Sequence, residues 1–317
     1  MKNPILQLNP LETMGKGFSP LARFQQACLE SFLAPDALPP GAHDPFAEPV
    51  TLRKPPRGTN PVILLHGTWA NRYNTWKALS LELSNAGFSV SAINYGDGGQ
   101  LPKFVKGYGD IRRSAKELAR FVDEVLRKTG ASKVDLVGHA QGGGVMPRWY
   151  IKYLGGKDRV GKLIGLAPSN HGTTTVSMGT LANMMTTFLG LQSLSTQGIN
   201  LTSGKAAIQQ SKESPENINP ELDRDGDTEP GITYVVLATA LDEVLTPWRQ
   251  SYLKGGFGSE VTNVALQDFR GFEFDLTEHL GITNHPVAIE VVKRALTGQS
   301  IDPKDVNIGP LPPMVTP

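Results

Sequence analysis

SKVDLVGHAQGGGVMPRWYIKYL, residues 132–154, is the stretch whose reading decides the fold. Val134 to Val137 is a short, mostly apolar run of the kind that forms a strand buried on both faces, and the residues after Gly142 read as a helix. Between them, Gly138-His139-Ala140-Gln141-Gly142 has the glycine spacing of a nucleophile elbow, G-x-S-x-G. That motif is a strained strand-to-helix turn whose middle residue projects its side chain above the sheet. Small residues are needed at 138 and 142 because the turn presses its backbone against the neighbouring strand and helix. A five-residue match alone also fits a plain Gly-rich turn; the strand before it and the helix after it are the context the motif demands. The nucleophile itself is missing: Ala140 stands where serine should, and a methyl group cannot attack a carbonyl.

Working outward, PVILLHG (61–67), FSVSAINYG (88–96), KLIGLAP (162–168), ITYVVLAT (232–239) and EVTNVAL (260–266) are further short runs rich in β-branched or apolar residues. Helical spacing fills the gaps. Residues 75–86 place Trp76, Leu79 and Leu83 on one face before Gly87. Residues 111–129 form an amphipathic stripe of Ile111, Ala115, Leu118, Val122, Val125 and Leu126, with Asp110 as cap and Gly130 as a left-handed exit. A last helix starts at Pro286 and runs to Gly298. Strand alternating with helix predicts crossover units on a mostly parallel sheet, in a main domain over 56–298.

Residues 1–55 read as an N-terminal extension with one helix, capped by Ser19 with Pro20 at its first position and ending near Ala34-Pro35. The tail 299–317 carries five prolines and reads as a surface strap or frayed end. One segment breaks the rhythm: residues 163–204 hold no Asp, Glu, Lys or Arg, yet contain Met178, Met184, Met185 and Phe188. A pair of buried helices would explain this; an apolar cap over about 171–215, with these four side chains lining a pocket for hydrophobic ligands, is the reading we favour.

Composition removes other classes. A hydrophobic fraction of 39%, with 34 Gly and 24 Pro spread along the chain, excludes disorder, collagen and coiled coil. Lys and Arg number 31 against 30 Asp and Glu, so the net charge of +1 gives no electrostatic footprint for nucleic acid or an anionic membrane. Cys28 is the only cysteine, which rules out an intramolecular disulfide and any Cys-based metal cluster. No stretch approaches the 18 apolar residues of a membrane span, and residues 1–20 lack the apolar core of a leader peptide.

The turn Leu64-Leu65-His66-Gly67-Thr68 follows the first strong strand. Such a turn can aim the Thr68 N–H into a site while the Gln141 N–H points in from the elbow, two donors placed as an oxyanion hole. A plain strand-end turn is the alternative. HGTWANRYNTW, VGHAQGG, LAPSNHGTTT and EHLGI, in this order, resemble the bacterial triacylglycerol lipases and esterases of the α/β-hydrolase superfamily, especially the actinobacterial type. The resemblance covers about residues 56–298. It implies an α/β-hydrolase fold with helices on both sheet faces, a helical cap, no cofactor or metal, and a hydrophobic ester as substrate, met in some cases at a lipid–water interface.

In that family the chain order is nucleophile, acid, base. After Ala140 the resemblance points to Asp242, just past ITYVVLAT, with Glu243 and Asp225 as rivals. For the base it points to His279, with His285 as rival; His66, His139 and His171 read as structural. Asp223 to Asp227 has the look of a calcium loop, but its glycine is out of register and a solvated turn is favoured. The resemblance further suggests a secreted mature form without its leader, a cytoplasmic location remaining open. Two hypotheses follow from Ala140: an ester hydrolase whose serine was replaced by alanine, which is favoured because Asp242, His279 and the 66–68 turn are all retained, or a naturally inactive relative that binds an apolar ligand or a protein partner. An aspartate nucleophile at the elbow is excluded by the same alanine.

Overall fold

The computed structural model describes residues 19–46, 55, 58–99, 101–188 and 204–308. Six strands, β1 (Val62–Leu65), β2 (Val90–Ile93), β3 (Val134–His139), β4 (Val160–Leu166), β5 (Thr233–Ala238) and β6 (Glu260–Ala265), form one sheet in the order β2-β1-β3-β4-β5-β6. Every pairing is parallel. Because strand side chains alternate, β1 sends Val62 and Leu64 into the core on one face of the sheet and Ile63 and Leu65 into the core on the other. Along β1, β2 and β3 both faces are buried, which is why those strands read as apolar runs rather than as alternating ones.

Helices cover both faces. On one side lie α1 (Pro20–Leu33), α2 (Arg72–Asn85) and α8 (Pro286–Thr297), contributing Phe24, Trp76, Leu79, Val287 and Val291. On the other lie α3 (Ile111–Thr129) and the elbow helix α4 (Val145–Tyr153), contributing Leu118, Val122, Val145 and Met146. Helix ends follow their local chemistry: Ser19 and Asp110 accept from Ala22 N–H and Arg113 N–H, and Gly130 exits α3 at φ 69. The α2 helix starts at Arg72, three residues before the sequence expectation. Asn71 and Asn74 form a reciprocal capping box there, which apolar spacing alone does not register.

Within the expected cap, α5 (Thr175–Phe188) and α6 (Lys205–Gln210) are helical; residues 189–203 lie outside the described part. The short α7 (Asn219–Asp223) precedes β5. In the tail, Ile301 and Val306 are buried against the α8 side of the core, so 299–308 runs as a strap; the rest of the tail and residues 1–18 are not described. Among the described residues no helix is long and apolar enough to cross a membrane.

Candidate active site

The sheet grows outward in both directions from β1 and β3, so the crevice at their carboxyl ends is the topological switch point where such sheets place ligands. Two loops meet there. At the elbow, Ala140 has φ 49, a left-handed backbone that costs an L-residue roughly 1–2 kcal/mol. The glycines are fixed by backbone contact: a Cβ on Gly138 would lie 1.9 Å from the Gly142 oxygen, and one on Gly142 2.3 Å from the His66 oxygen. The His66–Thr68 turn abuts the elbow, since a Cβ on Gly67 would lie 3.0 Å from His139 Nδ1 and 3.2 Å from Ala140 Cβ. Thr68 and Gln141 are both buried, and among the described residues neither backbone N–H meets an acceptor.

The Thr68 side chain is also set. Gln210 Nε2 donates to Thr68 Oγ1 at 3.1 Å, while Ser169 Oγ donates to Gln210 Oε1 at 2.8 Å. The Thr68 hydroxyl hydrogen is therefore left for another acceptor.

Asp242 sits just past β5 and His279 in the loop after β6. Asp242 Oδ1 accepts from Val244 N–H at 2.9 Å and Leu245 N–H at 2.7 Å, and Oδ2 faces His279 Nδ1 at 2.9 Å. Both side chains are fully buried. A carboxylate can only accept, so Nδ1 carries the hydrogen and Nε2 is the free edge of the ring; it is buried without a partner among the described residues. Glu243 Oε2 accepts the His279 backbone N–H at 3.2 Å, and His139 Nε2 lies 2.9 Å from the His279 oxygen.

Three buried histidines now separate. Burial drives His66 down to about 3 and His139 well below its ordinary value. Burial opposes protonation of His279 as well, but Asp242, Glu243 and Glu278 outweigh it and the pKa is raised. Of these three rings only His279 is shifted towards the protonated form. Glu278 is itself pushed up to about 7, by burial and by the charge of Glu243.

Comparison with known proteins follows the same frame. A family described as lipase (class 2) matches residues 59–204. Triacylglycerol lipases of Pseudarthrobacter phenanthrenivorans and Burkholderia plantarii are each 38% identical over 88 residues, 26% of this chain. The match spans about a quarter of those relatives, 25% and 23% respectively. Aspergillus fumigatus lipase B superposes with a TM-score of 0.62 at 19% identity, over 85% of this chain and 62% of that one. Bacillus licheniformis lipase BlEst2 gives 0.54 at 13% identity, over 78% and 95%. This chain has the α/β-hydrolase fold. It resembles the bacterial triacylglycerol lipases built on that fold.

Within the α/β-hydrolase frame the remaining candidates find their places. On α5, Met178 and Met185 are buried, while Met184 and Phe188 are half-buried against the same core. The helix is tied at its base to the segment after Asp242, where Ser177 Oγ lies 2.9 Å from Thr246 Oγ1 and Thr173 Oγ1 donates to the Val244 oxygen. His285 caps α8, its Nδ1 accepting from Val287 N–H and its Nε2 meeting Asp275. Asp225 is exposed beside Lys152, and Glu243 holds the His279 backbone instead of its ring. Asp223 and Asp227 gather with His171, their ligand atoms within 4.8 Å of one another. The buried Arg148 guanidinium lies 2.8 Å from Asp223 and 3.9 Å from Asp227, a positive charge already in place where a cation would go. Sequence reading missed Gln210 and Ser169, and no local signal marks them: Gln210 is 142 positions from Thr68.

Proposed function

We propose that this chain carries the active site of a serine carboxylic ester hydrolase for hydrophobic acyl esters, with the nucleophile position occupied by alanine and the enzyme thereby inactive. The observation that carries the reading is the buried Asp242–His279 pair, whose Nε2 has no partner among the described residues and belongs to a ring raised in pKa, beside the elbow and the Thr68 turn, whose Gln141 and Thr68 N–H groups meet no acceptor among those residues. The left-handed backbone at Ala140, φ 49, is the strained turn conformation that a nucleophile elbow requires.

With serine at 140, His279 Nε2 takes the hydroxyl proton as Oγ attacks the ester carbonyl, and Asp242 orients and stabilises the imidazolium. Thr68 and Gln141 N–H groups, with the Thr68 hydroxyl, hold the oxyanion. The imidazolium then protonates the departing alcohol, and water, deprotonated by the same ring, cleaves the acyl-enzyme. Met178, Met184, Met185 and Phe188 supply an apolar wall for the acyl chain, and α5 acts as a cap whose opening exposes that wall to a lipid surface.

The test is Ala140→Ser. Its hydrolysis of nitrophenyl esters should exceed that of the present chain at least about a thousandfold. In that background His279→Ala should lose nearly all the gain and His285→Ala should keep it; equal rates for the Ala and Ser forms would sink the assignment. A rate jump as a long-chain ester passes its solubility limit, blunted by Met184→Asp or Phe188→Asp, tests the mobile cap.

A further inference from the structure

The two N–H groups read as an oxyanion hole come from different loops, Thr68 from the turn after β1 and Gln141 from the elbow after β3, and the β1–β3 register ends at Leu65 and Gly138, short of both. We propose that Gln210 and Ser169 are positioning residues that bridge those loops and hold the Thr68 hydroxyl in place as a third oxyanion donor. This rests on the reading of residues 68, 140, 141, 242 and 279 as one hydrolase site.

The bridge runs atom by atom from one loop to the other. The Ser169 N–H donates to the Ala140 oxygen at 3.0 Å, which fastens the loop after β4 to the elbow itself. Ser169 Oγ donates to Gln210 Oε1 at 2.8 Å, and Gln210 Nε2 donates to Thr68 Oγ1 at 3.1 Å. The amide is fixed in this sense, because Nε2 also donates to the Ala206 oxygen at 3.0 Å and a flip would set Oε1 against that carbonyl. Both amide hydrogens are thus committed, one to Ala206 and one to Thr68. With its oxygen accepting, the Thr68 hydroxyl keeps its own hydrogen to donate, and no acceptor among the described residues takes it. Thr68, Ser169 and Gln210 are all buried, so bulk water does not replace these bonds.

The support under the bridge is the core of the fold. Gln210 ends α6, and its neighbour Gln209 ties that helix to the start of α3: Oε1 accepts the Ile111 N–H at 2.7 Å and Nε2 donates to Asp110 Oδ2 at 2.7 Å. The Ala206 N–H adds a bond to the Tyr108 oxygen at 3.1 Å. On the other side, the Gln210 backbone oxygen accepts the Thr173 N–H at 3.0 Å, and Thr173 Oγ1 donates to the oxygen of Val244, two residues after Asp242. One short helix therefore supports both the Thr68 hydroxyl and the loop that carries the acid. A donor held this way needs no reorganisation when charge develops on the substrate oxygen, which is the condition for it to lower the barrier.

The experiment is steady-state hydrolysis of nitrophenyl butyrate by the full chain in the Ala140→Ser background, with thermal unfolding of every variant. Gln210→Leu removes the donor and keeps a side chain of similar bulk. It should lower kcat about tenfold to a hundredfold with KM changed by less than about twofold, and Thr68→Val should lower kcat by a similar factor. Combined, the two should cost no more than the larger single loss, because Gln210 acts through the Thr68 hydroxyl; independent effects multiply. Gln210→Glu tests the direction of the bond. An ionised carboxylate can only accept, so it draws the Thr68 hydrogen away from the substrate, whereas the protonated acid regains a hydrogen to donate. The ratio of this variant's kcat to that of the Ala140→Ser chain should therefore rise as pH falls from 9 to 5. If Gln210→Leu does not fold, that ratio decides alone, since both protonation states belong to one variant. With an active Ala140→Ser chain, an unchanged kcat in Gln210→Leu, losses that multiply, or a ratio flat with pH overturns the bridge and leaves the hydrolase reading standing. An inactive Ala140→Ser chain removes both.

Discussion

Asp242 is the residue whose replacement discriminates most sharply, because one carboxylate serves three donors. Asp242→Ala strips the acceptor from the Val244 and Leu245 N–H groups and from His279 Nδ1, all buried. Removing one member of a buried charged pair costs roughly 3–5 kcal/mol. Asp242→Asn keeps an amide oxygen for the two backbone donors and sets an NH2 against Nδ1, so the loss is confined to the pair and falls to about 1–3 kcal/mol. The pH dependence follows from the direction of the His279 shift. Its folded pKa lies above the unfolded value of about 6.5. The pair's stabilisation is thus complete below about 6.5 and is lost as pH rises through the folded value. In the Asn variant the largest charge offsetting burial is gone, the ring is harder to protonate, and the variant loses stability on the acid side. Urea unfolding at pH 5 and pH 9, with midpoint and slope compared, should show the Asn penalty larger at pH 5. A penalty equal at both values, or an Ala penalty below about 1 kcal/mol, would refute the assignment of the pair as a charged unit.

Two further predictions concern the surroundings of the site. Gly142→Ala drives a Cβ to 2.3 Å from the His66 oxygen and 2.4 Å from the Leu65 oxygen, so it should cost about 4 kcal/mol or more and depress soluble yield. Gly130→Ala, strained at φ 69 but with nothing within 4 Å, should cost only about 1–2 kcal/mol by the same thermal-unfolding assay; similar losses for both would contradict the backbone clash. Glu278, raised to about 7 from an unfolded value near 4.3, destabilises the fold progressively as pH rises between those values. Glu278→Gln keeps an acceptor for the Gly281 N–H and never ionises, so its stability relative to the parent should improve from pH 4 to pH 8 by up to about 3 kcal/mol; a difference flat with pH would count against the burial of that charge.

What the sequence determined by itself is what short-range forces encode. The β3 strand and its elbow were readable because glycine spacing and apolar runs report steric limits within a few residues, and the six strand positions and the caps Ser19, Asp110 and Gly130 were readable for the same reason. Asp242 and His279 were legible as candidates only through their order along the chain and a family resemblance. Their contact spans 37 positions, and nothing in either loop encodes a distance of 2.9 Å. The tertiary structure alone decided which histidine is basic. His66, His139 and His279 are all buried, and the separation arises because the loop after β5 brings Asp242 and Glu243 to one ring, already flanked by Glu278, and not to the others. The same holds for the Thr68 hydroxyl, whose oxygen accepts from Gln210, 142 positions away. Coulomb interaction and hydrogen-bond direction depend on separations and burial that exist only after the sheet has assembled, whereas helix spacing, capping and turn strain act within the chain segment that carries them.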